Sequence, residues 1–226
     1  MERRPSSEEA ASPQEVKSIS KASFRRLPRY HQIMRAFEDL GRKYISSKEL
    51  SEILEINETL VRKDMADLSI RGKPNQGYSI QTLRQTIEGF LGLKEPTEAL
   101  IVGGGHLGKA LAMYPGFDNY GLRIMGIFDN DPAKIGSDVN GLIVEDVEQL
   151  CRRVEEKQIK LIILCVPKDA AQPITDEVIA CGVRAVWNFT PQELHVPKHV
   201  RIRNEQIVAG FMALSYYLKS LPVEEM

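Results

Sequence analysis

One stretch of this sequence narrows the fold more than any other. Thr97-Glu98-Ala99-Leu100-Ile101-Val102 is an apolar run of β character, and Gly103-Gly104-Gly105-His106-Leu107-Gly108 follows it directly. Lys109-Ala110-Leu111-Ala112-Met113 then reads as a helix. Glycines at the first, third and sixth loop positions, between a strand and a helix, are what a parallel α/β sheet uses to hold a dinucleotide. Gly103 permits the tight turn, Gly105 lets a pyrophosphate approach the backbone, and Gly108 lets helix and strand pack closely. The start of the helix offers free N–H groups, here on His106 and Leu107, and the positive end of its dipole to the phosphates.

The second apolar run, Leu122-Arg123-Ile124-Met125-Gly126-Ile127-Phe128, ends in Asp129. That acid lies 21 residues beyond Gly108, where the adenine ribose hydroxyls need an acceptor, and its charge favours NAD over NADP. Asn130 follows it, and Lys134 lies close enough to offset part of its charge. Further strands read at 142–144, 161–166 and 185–189, with helices at about 147–156 and 170–181. The strand ends Cys165-Val166-Pro167 and Asn188-Phe189-Thr190-Pro191 should line the crevice. Residues 96–204 are therefore expected to form a doubly wound Rossmann sheet that binds NADH and NAD⁺. A glycine-rich turn that holds another nucleotide, such as CoA, stays open as an alternative.

Catalytic machinery is sparse. His106, Lys168 and Tyr114 are the proton-transfer candidates near the crevice. His195 and His199 are four apart, but Pro197 between them breaks the helical geometry of a metal pair. No Ser–His–Asp or Cys–His arrangement is visible, so no enzyme activity is expected. A small NAD-dependent oxidoreductase is the enzymatic alternative. Cys151, Cys165 and Cys181 are odd in number and lack metal spacing. Cys165 lies inside an apolar run, where a thiol is a small core side chain.

Residues 21–95 read as a separate helical module. Leu27-Pro28 opens a helix whose Tyr30, Ile33, Met34, Phe37 and Leu40 share one face. Ser46-Ser47-Lys48-Glu49 fits a capping box before a short helix carrying Leu50, Ile53 and Leu54 inward. Asn57 caps a second helix with Leu60, Val61, Met65 and Leu68 as its buried face. Two short helices joined by a tight turn make a helix-turn-helix, and Arg71 to Tyr78 looks like a hairpin wing. Ser46, Ser47, Lys48, Arg62, Lys63, Arg71 and Lys73 are then placed to meet phosphates beside a groove. Asp64 and Asp67 on the second helix oppose that reading unless one turns inward to an arginine.

Charge supports the division. The chain carries a net charge of −1. Residues 20–95 hold 14 Lys and Arg against 10 Asp and Glu, whereas residues 96–226 hold 13 against 17. A total near zero thus averages a mildly basic front and an acidic back. Residues 1–20, rich in Ser, Glu and Pro, read as a disordered tail. No signal peptide or spanning run is visible, and a cytoplasmic location is expected.

Taken together, the chain resembles the Rex family of bacterial redox-sensing transcriptional repressors over roughly residues 20–221. The likeness rests on Arg26-Leu27-Pro28, Ser46 to Leu50, Val61-Arg62-Lys63-Asp64, Gly77-Tyr78, Gly103 to Gly108, Tyr114-Pro115-Gly116-Phe117, Phe128 to Pro132, Asn188 to Pro191 and Leu214-Ser215-Tyr216. The resemblance implies a winged helix-turn-helix domain joined to a Rossmann domain. It implies a homodimer that holds operator DNA when NAD⁺-bound or free and releases it with NADH. It also implies a C-terminal helix, within 205–226, swapped between subunits. Here Ile207, Phe211, Leu214, Leu218 and Leu221 supply its apolar stripe. Tyr114 matches a family tyrosine near the nicotinamide. Five positions depart from the family pattern. Gln32 and Gln206 stand where an arginine and an aspartate alternate in a switch, Asp67-Leu68 replaces an aromatic pair, and Pro74 replaces a wing arginine. A Rex-like paralogue with weak or altered DNA binding is the alternative these departures raise.

Overall fold

The computed structural model describes residues 19–220. The expected tail, but for its last two residues, and Leu221 of the C-terminal stripe lie outside them. The chain divides into two compact units between Lys94 and Glu95.

The front unit runs α1 (Lys21–Asp39), β1 (Tyr44–Ile45), α2 (Ser47–Leu54), α3 (Glu58–Asp67), β2 (Tyr78–Ser79) and α4 (Ile80–Leu91). Helix α1 starts well before Pro28, because the Ser20 hydroxyl accepts from the Ser23 N–H at 3.0 Å and caps it there. Pro28 therefore lies inside the helix, where it removes one backbone donor. Leu27 and Tyr30, both wholly buried, anchor the helix on either side of that defect. Leu40, expected on the inner face, is 74% exposed because it falls past the helix end.

The capping box forms at α2: the Ser46 hydroxyl accepts from the Glu49 N–H at 3.1 Å. Asn57 caps α3 by accepting from the Thr59 N–H at 2.8 Å. Leu50, Leu54, Val61, Met65 and Leu68 are buried as expected, whereas Ile53 and Leu60 are exposed. The reason in α3 is its phase: Val61, Asp64, Met65 and Leu68 face inward, so an aspartate occupies a core position and Leu60 turns outward. Helix α4 was not foreseen. Its signals were Ser79 as cap, Ile80, Leu83 and Ile87 at helical spacing, and Gly92 at a φ of +70°. β1 pairs antiparallel with β2, and Lys73 bridges Gly77 at the base of the wing.

The back unit holds β3 (Thr97–Val102), α5 (His106–Ala112), β4 (Leu122–Asp129), β5 (Asp138–Val139), β6 (Leu142–Asp146), α6 (Leu150–Glu156), β7 (Leu161–Leu164), α7 (Lys168–Ala180), β8 (Ala185–Asn188), β9 (Arg201–Asn204) and α8 (Ile207–Ser220). The seven strands lie in the order β5-β6-β4-β3-β7-β8-β9. All pair parallel except β5 with β6. Without the β5 edge this is the doubly wound Rossmann order. β5 escaped notice because two residues are too short to show a period, and β9 because Arg201-Ile202-Arg203-Asn204 holds a single apolar residue. Apolar clusters cover both sheet faces, one around Phe128 and Ile162 and one around Ile101 and Ile127.

Cys151 and Cys181 form a disulfide across 30 residues, leaving Cys165 free. Helix α8 leaves Ile207, Phe211, Leu214 and Leu218 between 63% and 78% exposed. No helix among the described residues is long and apolar enough to cross a membrane.

Candidate functional site

Between β3 and β7 the winding of the sheet reverses, so the loops leaving their carboxyl ends diverge and open a crevice. Backbone bonds fix its floor. The Gly103 N–H donates to the Phe128 carbonyl at 2.7 Å, and the Cys165 N–H donates to the Val102 carbonyl at 2.7 Å. A cavity of about 600 Å³ opens there. Of the residues anticipated for a nucleotide, Gly103, Gly105, Asp129, Asn130, Lys134, Val166 and Pro167 border it.

The three motif glycines differ in what they need. Gly103 has a φ of +107°, and a Cβ on it would lie 2.4 Å from the Cys165 carbonyl oxygen. A Cβ on Gly108 would lie 1.9 Å from the Gly103 carbonyl oxygen. These two glycines are demanded by the fold itself. Gly105, at φ −75°, would meet nothing within 4 Å, so the protein's own packing does not require it. What fits there is a phosphate brought against the backbone. Gly105 is also the N-cap of α5 and supplies no side-chain acceptor, so the first turn of that helix, His106 and Leu107, has no cap from its own N-cap side chain.

Asp129 is nearly buried. One carboxylate oxygen accepts from the Gly104 N–H at 2.7 Å, the other from the Asp131 N–H at 2.9 Å, and Lys134 Nζ reaches both at 3.1 and 3.3 Å. Burial pushes the carboxyl up, but the hydrogen bonds from the Asp131 amide, Lys134 and the Gly104 amide outweigh it and hold it below the ordinary range. The group stays an ionised acceptor at the second strand's tip, as a ribose hydroxyl requires.

A third wall was missed in the sequence. Ala170, Pro173, Ile174 and Glu177 of α7 line the cavity, with Val147 from the turn before α6. Their spacing is one helical face, but mostly small and apolar side chains at that spacing read as core. Cys165 also lines the cavity, and burial pushes its thiol up to about 12, so it stays a neutral thiol at ordinary pH.

On the front unit, Ser46, Lys48, Arg62, Lys63, Arg71 and Lys73 are all exposed. Glu58 organises part of this face: the Ser47 hydroxyl donates to it at 2.6 Å and Arg62 at 2.7 Å. Lys73 donates to the Tyr44 hydroxyl at 3.0 Å, which fixes the wing against β1. Asp64 does turn inward. It is wholly buried, and Arg26 grips its two oxygens at 2.6 Å each while the Tyr30 hydroxyl donates at 2.8 Å. Asp67 accepts from the Ser23 hydroxyl at 3.2 Å. Both acids are thus engaged within the unit.

Comparison with known proteins converges on one family. A family model described as "Putative DNA-binding protein N-terminus" matches residues 18–66, and one described as "CoA binding domain" matches residues 94–192. The redox-sensing transcriptional repressor Rex of Clostridioides difficile (strain 630) is 37% identical over 90% of this chain and 97% of its own length. The Rex of Roseiflexus sp. (strain RS-1) is 39% identical over 86% and 88%. This chain belongs to the Rex family of redox-sensing transcriptional repressors. Among solved structures, RSP, a Rex-family repressor, superposes with a TM-score of 0.82 at 34% identity, covering 89% of this chain and 94% of RSP. RSP in complex with NAD⁺ and operator DNA gives 0.83 at 35% identity, covering 89% and 93%. RSP with NADH gives 0.81 at 34%, covering 89% and 94%.

Tyr114, Asn188 and Phe189, also anticipated for the nucleotide in this Rex chain, do not border the Asp129 cavity. Tyr114, half exposed, begins an aromatic row in which it meets Phe117 at 5.0 Å, Phe117 meets Trp187 at 5.7 Å, and Trp187 meets Phe189 at 5.1 Å. Asn188 is buried and fully engaged, donating to Gln192 and Asn204 and accepting from the Thr190 amide and hydroxyl. Phe189 and Gln206 border a separate cavity of about 600 Å³ beside the start of α8. Gln32 on α1 and Pro74 on the wing are exposed.

Proposed function

We propose that this Rex chain is a homodimeric repressor that reads the NADH/NAD⁺ ratio by binding and performs no hydride transfer. Operator DNA is held when the protein is free or NAD⁺-bound, and NADH releases it. The observation that carries the reading is Asp129, ionised and aligned beside the glycine loop at the switch point. In this reading Asp129 and Lys134 hold the adenosine ribose, Gly105 and the first turn of α5 take the diphosphate, and Tyr114 faces the nicotinamide. The cofactor supplies only a ring whose charge differs between its two redox forms. The cytoplasm is the proposed location, because the DNA partner lies there.

Asp129→Ala removes the charged acceptor from the ribose subsite. NADH affinity should fall at least about tenfold, or about 1.4 kcal/mol, with reduced discrimination against NADPH. Calorimetric titration of both cofactors checks it, and unchanged affinities would remove Asp129 from the site. On the DNA side, Arg62, Lys63, Lys48, Arg71 and Lys73, with the hydroxyls of Ser46 and Ser47, are proposed to meet the backbone. Arg62→Ala and Lys63→Ala should each weaken operator binding and lower the salt slope by about 1. Fluorescence anisotropy across a salt series measures this, and an unaltered slope would exclude those side chains from phosphate contact.

Dimerisation is assigned to α8 within 205–226, whose exposed apolar side chains need a partner surface. Sedimentation of the full chain as a monomer at micromolar concentration would overturn that assignment. A second reading, a paralogue with altered coupling, is favoured by Gln32 and Gln206, which can hydrogen-bond but cannot form an ion pair. Operator binding indifferent to NADH would select it.

A further inference from the structure

We propose that Cys151 and Cys181 are a reversible thiol oxidation site that sets how firmly the α7 wall of the nucleotide cavity is held. The inference rests on the cavity assignment above. Cys151 is in the first turn of α6, directly after the turn Val147–Gln149, and Val147 lines the cavity. Cys181 caps the far end of α7, one turn beyond Glu177, which lines the cavity from the other side. The disulfide therefore joins the two elements that carry this wall, at a Cα separation of 5.5 Å. That separation is within the ordinary range for an unforced bridge.

The reduced pair is accommodated by the same backbone. The Glu177 carbonyl oxygen lies 3.1 Å from the Cys181 sulfur and 3.7 Å from the Cys151 sulfur. As thiols, both can donate to that one acceptor, so neither is stranded when the bond opens. Both residues are partly exposed, which gives a small oxidant access. Leu150, Val154 and Val178 pack α6 and α7 into the core beside the bridge, so opening it loosens the wall without dismantling the fold. Cys165 lacks such a partner and stays a free thiol.

The oxidant class is a hydroperoxide. One sulfur attacks the peroxide oxygen, the O–O bond breaks, and an alcohol or water leaves as a sulfenic acid forms. The second sulfur attacks that sulfenic sulfur, closing the S–S bond and expelling water. The two sulfurs together give up two electrons, the peroxide takes them, and both thiol protons leave on oxygen. A dithiol reductant reverses the reaction by exchange.

The test uses the full chain, reduced or treated with stoichiometric hydrogen peroxide. Alkylation under denaturing conditions followed by peptide mass analysis should find three alkylated cysteines in the reduced form. In the oxidised form it should find Cys165 alone alkylated and a Cys151–Cys181 peptide pair. Oxidation should raise the melting midpoint by roughly 5–10 °C. It should tighten NADH binding by about threefold to tenfold, because a fixed wall loses less freedom on binding. Cys151→Ser and Cys181→Ser should each abolish both shifts while still binding NADH at the reduced protein's affinity. A bridge to Cys165 or to a second chain overturns the proposal. So does a bridge that forms and raises the melting point while leaving NADH affinity unchanged, which would make it a staple only. NADH binding to neither form would instead remove the cavity assignment and this inference with it.

Discussion

Gly103→Ala and Gly105→Ala should both lose NADH, but for opposite reasons, and a melting curve separates them. At Gly103 the added Cβ meets the Cys165 carbonyl oxygen at 2.4 Å in a backbone conformation that L side chains rarely adopt. The obstruction is backbone on both sides, so β3 and β7 must part at the switch point. The cost should be about 3–5 kcal/mol of stability. At Gly105 the Cβ meets nothing within 4 Å and φ is −75°, so stability should stay within about 0.5 kcal/mol of the parent. With the diphosphate against the Gly105 backbone, as proposed, its methyl group nevertheless stands in the way, and NADH affinity should fall about 100-fold, or about 2.8 kcal/mol. Thermal melts and calorimetry on the two variants check the pair. A Gly105→Ala protein that binds NADH normally would place the diphosphate elsewhere.

Asp64→Ala should be the most damaging change in the front unit. It leaves the Arg26 guanidinium and the Tyr30 hydroxyl facing a hole where a wholly buried carboxylate took three hydrogen bonds from them. Breaking a buried pair from one side costs about 3–5 kcal/mol. Asp64→Asn keeps the shape and one acceptor oxygen and should lose less. The same pair predicts a pH dependence. Burial pushes the Asp64 carboxyl up, but bonds from Arg26, Ser23 and Tyr30 outweigh it, so its folded value lies below the ordinary 3.8. A depressed carboxylate contributes stability that is fully present above its unfolded value and is lost as pH falls through the folded one. Front-unit stability should therefore decline below about pH 4. Denaturant titrations of parent and Asp64→Asn between pH 7 and pH 2.5 measure it. An identical acid response in both would detach the effect from this carboxylate.

The same aspartate shows where reading the chain linearly reaches its limit. On α3 two acids argue against DNA, and a composition count cannot tell which way each points. Packing decides it, because the helical phase that buries Val61, Met65 and Leu68 carries Asp64 inward with them. There Arg26, 38 positions earlier, supplies the countercharge. The α7 wall was hidden for the converse reason. Ala170, Pro173 and Ile174 look like any core stripe until the sheet order places them over the crevice. The Cys151–Cys181 bridge was equally invisible, since cysteines 30 residues apart carry no pairing information until two helices set their Cα atoms 5.5 Å apart.

By itself the sequence determined what local chemistry fixes. It determined the strand-glycine-helix unit, because only glycine tolerates the turn at Gly103. It determined the acid at the tip of the second strand, because its spacing is set by one strand-helix-strand length. It determined the caps at Ser46 and Asn57, because each bonds an amide two or three residues away. Tertiary structure alone decided which acids are spent inside the fold, which helix face walls the cavity beside Asp129, and which cysteines meet. Those depend on contacts between residues far apart in the chain, and helical or strand periodicity names a face without naming what it packs against.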